Sequence, residues 1–154
     1  MLLGQLNGLP GAKEKFSMPK TDKNPVVARE WMAKADNDLK TAAHTLKLGG
    51  KCPTDTVCFH AQQCVEKYLK AFLVVLEIEF PRTHDTEILI SLIPKGVRLP
   101  LTIEEQRRLT EYATVMRYPG PYEPILLSEA KQAVKLARQV KQKIRKLLQK
   151  DVVF

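Results

Sequence analysis

Between Thr54 and Glu79 the chain runs 26 residues without glycine or proline, TDTVCFHAQQCVEKYLKAFLVVLEIE. Val57, Ala61, Cys64, Val65, Tyr68, Phe72 and Val75 recur at the three-and-four spacing that places them on one side of an α-helix. Leu69, Leu73 and Leu76 widen the stripe until the C-terminal half is apolar nearly all round, the pattern of a central helix packed by several neighbours. The N-terminal half carries a second row at the same spacing, made of His60, Gln63, Lys67 and Lys70, with Gln62 and Glu66 one turn apart beside it. This segment therefore predicts both the scaffold of the fold and a candidate site.

The rest of the pattern is helical too. Asn24 and Pro25 supply a cap and a first-turn proline for a helix to about Leu48, buried along Ala28, Trp31, Ala35, Leu39, Ala42 and Leu46 and ended by Gly49-Gly50. Asp38 lies beside that stripe, as a site residue or as the partner of a neighbouring cation. After the central helix, Pro81 is the expected stop and Thr83 the expected cap of a short helix from Asp85 to Ile93. Thr102 and Glu105 form a capping box for a helix from about Ile103 to Arg117. Three prolines and a glycine in RYPGPYEP forbid regular helix at 117–124. The last helix spans about Ser128 to Lys150, with Ala130, Ala133, Val134, Ala137, Val140, Ile144 and Leu147 buried and Lys131, Lys135, Arg138 and Arg145 opposite. No segment alternates at period two. The predicted fold is all-α, an up-and-down antiparallel bundle of about five helices over residues 25–150, preceded by a flexible tail over residues 1–24 that folding does not need.

Composition changes this picture in one place. The 154 residues, 44% hydrophobic and 27% charged, suffice for one core without disulfide or metal. The net charge of +8 is concentrated: residues 131–150 hold eight Lys or Arg and no acid, while the remaining 17 basic residues balance all 17 acids. A one-sided basic helix is either a footprint for an acidic partner such as nucleic acid or a solvated face. No apolar run reaches the roughly 18 to 20 residues of a membrane helix, the longest being Ala71 to Leu76. The start of the chain, broken by Gly, Asn and Pro, lacks a secretory pattern, so a cytoplasmic protein without membrane contact is expected. Cys52, Cys58 and Cys64 show neither disulfide pairing nor metal-ligand spacing, and no metal or cofactor is expected. Ser17, Ser91 and Ser128 sit in no glycine-flanked elbow, which argues against a serine hydrolase.

Four ordered stretches then carry a resemblance: AKADNDL after Trp31, FHAQQCVEKYLKAFL in the central helix, FPRTHD at 80–85 and MRYPG at 116–120. Together they resemble the HEPN domain family, whose name stands for higher eukaryotes and prokaryotes nucleotide-binding. The resemblance covers about residues 25–150. It implies a helical bundle like the helical domain of kanamycin nucleotidyltransferase, often a homodimer, and in prokaryotes often encoded beside a separate minimal nucleotidyltransferase. Some members are ribonuclease toxins restrained by that partner. Those ribonucleases carry an arginine followed after four to six residues by a histidine. Here Arg117 corresponds best to the arginine, but no histidine occurs after residue 84.

His60, Arg82, His84, Arg117 and Tyr118 are accordingly the candidates for contact with a nucleotide or RNA. Arginine offers a planar fork for phosphate, histidine a donor titrating near neutrality, and tyrosine a ring for a base. Each also has a structural reading: His60 satisfying Gln63 or a neighbouring helix, His84 helping to cap the short helix, and Tyr118 and Tyr122 packing the proline-rich loop. The first functional reading is a non-catalytic nucleotide-binding or interaction module, homodimeric through apolar surface left over on the central helix, and paired with a nucleotidyltransferase in a toxin-antitoxin-type arrangement. The second is a ribonuclease with re-recruited residues, His60 or His84 with Arg117. The third is an RNA-binding bundle using the basic last helix. No catalytic residue is assigned, and RNA cleavage by the family's arginine-histidine chemistry is not expected.

Overall fold

Helical periodicity over most of the chain yields five α-helices, and there is no strand among the described residues. The computed structural model describes residues 24–151, and side chains between 25 and 149. Apart from Asn24 the predicted tail lies outside the described residues, as does the side chain of Asn24. Helix α1 spans Asn24–Leu46, α2 Thr54–Val75, α3 Thr86–Ser91, α4 Ile103–Ala113 and α5 Leu127–Asp151; single 3-10 turns occupy Gly49–Lys51 and Val115–Arg117. No described helix is long and apolar enough to cross a membrane.

Side-chain bonds fix the directions. Asp36 of α1 meets Tyr68 of α2 and Arg145 of α5, while Asp38 meets His60 and Lys67. Cys58 of α2 lies near Glu129 of α5, and Tyr68 contacts Arg145, so α2 and α5 run the same way. Tyr112 of α4 bonds Glu129 while Glu105 shares a cleft with Leu136, so α4 runs against α5. The result is an up-down-up-down bundle of α1, α2, α4 and α5, with α3 as a short crossover. The core is one cluster whose largest fully buried side chains include Tyr68, Phe80, Leu69, Leu73, Leu89, Leu109 and Ile144.

The wide apolar surface of α2 is consumed inside this bundle. Every residue from Leu69 to Val74 is buried, so the expectation that α2 leaves apolar area for a second copy does not hold. Burying a Leu or Phe side chain contributes on the order of 1.5–3 kcal/mol, which makes α2 the largest source of packing energy.

Helix ends depart from the sequence expectations for local reasons. Helix α1 stops at Leu46 rather than Leu48, and Gly49 takes the left-handed conformation (φ 62°) that lets the chain reverse. Helix α2 stops at Val75, a full turn before Glu79. Ile78 N–H donates to Leu73 O (2.9 Å) and Glu77 N–H to Val74 O (3.1 Å), a Schellman turn with Glu77 at φ 57° where glycine is usual. The early stop turns the chain so that Phe80 enters the core, edge-on to Trp31 at 6.5 Å. Asp85, not Thr83, caps α3: its carboxylate accepts from Ile88 N–H (3.0 Å), while the Thr83 hydroxyl accepts from Asp85 N–H (3.0 Å). The capping box of α4 is present as expected. That helix ends at Ala113, and its predicted last turn tightens to 3-10 because Tyr118 must be extended before Pro119.

Arg145 does not join the solvated face of α5. Its guanidinium donates to Asp36 (2.9 Å) and to the Tyr68 hydroxyl (3.0 Å), and Lys141 adds a further contact to Asp36 (2.9 Å). A long cationic side chain reaches round its helix in a way that spacing alone does not reveal.

Candidate functional site

The polar row of α2 is buried, which is the feature that singles it out. Gln62, Gln63, Glu66 and Lys70 are all buried in a helix otherwise given to apolar packing. Polar groups removed from water must be paired, and these are paired mostly with one another. Glu66, only 3% exposed, accepts from Lys70 Nζ (2.7 Å), Gln62 Nε2 (3.0 Å), Gln63 Nε2 (3.3 Å) and His84 Nδ1 (2.9 Å). Gln63 also donates to Gln62 Oε1 (2.7 Å), and Gln62 donates to the backbone carbonyl of His84 (3.2 Å).

His84 reaches this network because the chain folds back along α2 after the Schellman turn. Its ring is half exposed, 52%, with Nδ1 on Glu66. A carboxylate only accepts, so Nδ1 carries the hydrogen and Nε2 is left for other partners. The same segment brings Arg82 and Thr83 to a cleft of about 410 Å³ bordered by Trp31, Lys70, Phe80 and His84. The Lys70 ammonium lies 5.4 Å from the Trp31 ring centre and 5.9 Å from that of Phe80, within cation–π range of both. Cations, two aromatic rings, a hydroxyl and an oriented imidazole thus share one concavity, with Glu66 beneath it.

The other sequence candidates lie elsewhere, His60 on α2 and Arg117 and Tyr118 at the 3-10 turn after α4. His60 Nδ1 bonds Asp38 (2.8 Å), and Lys67 bonds the other oxygen of the same carboxylate, so Asp38 is the partner of a neighbouring cation, Lys67, and a pin between α1 and α2. Arg117, in the 3-10 turn, lies 5.1 Å from the Phe59 ring centre, and His60 contacts the same ring at 5.4 Å. Tyr118 is exposed, whereas the Tyr122 hydroxyl closes the loop by donating to the carbonyls of Tyr118 (2.7 Å) and Met116 (3.1 Å). The structure therefore gathers Arg82 and His84 into one cleft, leaves His60 and Arg117 around Phe59, and leaves Tyr118 exposed. His84 does not cap α3 through its side chain.

The sequence places Gln62, Glu66 and Lys70 in the candidate polar row of the central helix but does not single them out as ligand contacts, and it reads Trp31 as plain core. A signal was present: Gln62, Glu66 and Lys70 succeed one another at intervals of four along the helix, and they continue into its apolar half.

Buried thiols and hydroxyls elsewhere serve packing. Burial pushes Cys58 and Cys64 up to about 12, which leaves them protonated and unreactive. Tyr68 and Tyr112 are raised by burial and by their bonds to Asp36 and Glu129. Burial alone would raise Asp36, but the Tyr68 hydroxyl, Lys141 and Arg145 outweigh it and hold the carboxyl low. Arg108 does the same for Glu129.

Comparison with known proteins agrees with this architecture. A family model described as the HEPN domain matches residues 28–147. Among solved structures the chain is similar to TT1696 from Thermus thermophilus, at 28% identity over 77% of this chain and 96% of that one, with a TM-score of 0.67. It is similar also to ST0689, described as an archaeal HEPN homologue, at 23% identity over 79% of this chain and 97% of that one, with a TM-score of 0.62; at that identity the likeness concerns the fold. A comparison with curated proteins finds no match. With a family model spanning α1 to α5 and the all-α bundle on which those neighbours superpose, this chain belongs to the HEPN domain family.

Proposed function

We propose that the chain is a nucleotide-binding module whose site is the cleft between Trp31, Lys70, Phe80, Arg82 and His84. One observation carries the reading: a histidine oriented by a buried carboxylate stands with Arg82 and Lys70 at a cleft that also offers two aromatic rings. Arg82 and His84 meet the phosphate by charge-assisted bonds, and Trp31, backed by the buried Phe80, receives the base. Trp31 is the only tryptophan of the chain, so binding is read directly from intrinsic fluorescence. Titration with ATP or AMP is expected to quench it, and Arg82→Ala or His84→Ala to weaken the response at least tenfold. No change in fluorescence up to millimolar nucleotide overturns the reading.

Family membership supports the rest: a cytoplasmic homodimer working with a separate minimal nucleotidyltransferase, in a toxin-antitoxin-type pair. The exposed Val115 and Tyr118 beside Arg117 offer a surface for the second copy. A monomer by light scattering at micromolar concentration argues against the homodimer. The ribonuclease alternative is favoured by one feature only, the pairing of Glu66 with His84 in the cleft of Arg82. It makes Arg82 rather than Arg117 the expected cation, and RNA cleavage abolished by Arg82→Ala is its test.

A further inference from the structure

The cleft between Trp31, Phe80 and His84 carries less positive charge than its residue types suggest. Lys70, 9% exposed, is paired with Glu66 at 2.7 Å, so its charge is offset from beneath while its ammonium faces the Trp31 and Phe80 rings. Arg82 and His84 are the exposed cationic side chains of the lining. A phosphate entering there meets at most two further positive charges, those of Arg82 and of a protonated His84. No carboxylate lines the cleft among the described residues. Glu66 beneath it has one oxygen on Lys70 and the other on Gln62, Gln63 and His84.

Two polar groups of the lining have a capacity that the protein leaves open. The Thr83 hydroxyl accepts from Asp85 N–H (3.0 Å), which leaves its own hydrogen to be donated. His84 is held through Nδ1 on Glu66, so Nε2 is the edge available to a ligand. It presents a lone pair when the ring is neutral and an N–H when the ring is protonated. A phosphate monoester complements both states, because its second pKa near 6 lets it offer a P–OH or a bare oxygen around neutral pH. A phosphodiester keeps a single charge and has no hydrogen to give. A triphosphate brings more negative charge than the cleft opposes, and its magnesium ion is ordinarily held by one or two protein carboxylates beside the phosphates. The cleft has none to lend.

We infer that the cleft, on the nucleotide-binding reading from which this follows, selects a nucleoside bearing a phosphate monoester, free or at the end of a strand, over triphosphates and phosphodiesters. Thr83 joins Arg82 and His84 as a phosphate contact. A guanidinium fork, a hydroxyl and an imidazole edge then serve the three terminal oxygens, with no metal ion required. The size agrees: about 410 Å³ lies toward the lower end of the roughly 300–1,000 Å³ of small-molecule sites.

The test titrates the full chain with AMP, adenosine, 3′,5′-cyclic AMP and ATP, the last with and without magnesium, and follows Trp31 fluorescence. AMP is expected to bind at least tenfold more tightly than each of the others, and magnesium not to improve the binding of ATP. Thr83→Val, folded by circular dichroism, is expected to lose about tenfold in AMP affinity with adenosine unchanged, and Thr83→Ser to keep the wild-type affinity. A purely structural effect moves AMP and adenosine together. A 5′-phosphorylated ApA separates the two sources: binding weaker than AMP assigns the monoester to a free nucleotide, equal binding to a strand end. Cyclic AMP or magnesium–ATP binding as tightly as AMP overturns the inference and leaves the nucleotide reading standing, as does AMP affinity unaltered in Thr83→Val. No response to any of these ligands overturns both.

Discussion

Replacing Glu66 by alanine tests whether the polar cluster of α2 is structural support for the cleft or merely wet. The substitution removes the acceptor of four donors and leaves the Lys70 ammonium, 9% exposed, without its 2.7 Å partner. Breaking a buried ion pair from one side costs about 3–5 kcal/mol, because the remaining charge stays desolvated. Set against a total stability of about 5–15 kcal/mol, that is a severe loss. At roughly 2–4 °C per kcal/mol for a chain of this length, the thermal midpoint falls by about 6–20 °C. Lys70→Met is the contrast: the apolar stem keeps its packing against Trp31 and Phe80, and Glu66 retains Gln62, Gln63 and His84. Its expected cost is under about 2 kcal/mol. Urea denaturation at pH 7 measures both. A Glu66→Ala cost below about 1 kcal/mol, or a Lys70→Met cost exceeding it, refutes the account of Glu66 as the hub.

Three further outcomes are expected. Cys58 and Cys64, fully buried with thiols raised to about 12, do not react with a thiol reagent at pH 8 until the protein is unfolded; rapid modification of more than one thiol in the native state contradicts this. Asp36 and Glu129 are held below their ordinary values of 3.8 and 4.5, so the stability they contribute is complete above those values and is lost as pH falls through the lower folded-state values. The thermal midpoint therefore declines on acidification below about pH 4, less so in Asp36→Asn; a midpoint unchanged down to pH 2 refutes the linkage. The Thr86 hydroxyl is buried without a partner among the described residues, so Thr86→Val is expected to stabilise by about 1 kcal/mol. A loss of stability in calorimetry shows that the hydroxyl is satisfied.

The elements that sequence placed best are those decided by short-range chemistry. The capping box at Thr102 and Glu105, the proline break at 117–124 and the apolar stripe of α5 need only neighbours within four residues; the first two stand as expected, and so does the stripe up to Ile144, beyond which Leu148 is buried and Leu147 only partly so. Helix ends were less legible. The stop at Val75 depends on Glu77 accepting a left-handed conformation so that Phe80 can reach Trp31, a tertiary gain that overrides the local helical preference of Leu76 to Glu79. The Thr83 cap failed for a smaller reason, since Asp85 stands closer to the first turn and takes the role.

The site was legible in its parts and not in its grouping. His60, Arg82, His84 and Arg117 follow from residue chemistry, but sequence distance places Arg82 and His84 beyond the far end of α2. Only the turn at Leu76–Ile78 brings His84 back beside Gln62 and Glu66. That same turn explains why the buried residues of the row lie where they do. The long apolar half of α2 is covered by α1, α5 and the returning segment, so a polar side chain at Gln62, Glu66 or Lys70 cannot reach water along its own helix. It is satisfied by the row itself and by His84, and in being satisfied it orients the one ring that stands half exposed at the cleft. A row of polar residues entering an apolar helix is thus costly to fold unless the chain returns to cover it, and the return places Arg82 and His84 at the surface together. The cleft follows from the folding requirement of α2, and its chemistry from the residues that happen to meet that requirement.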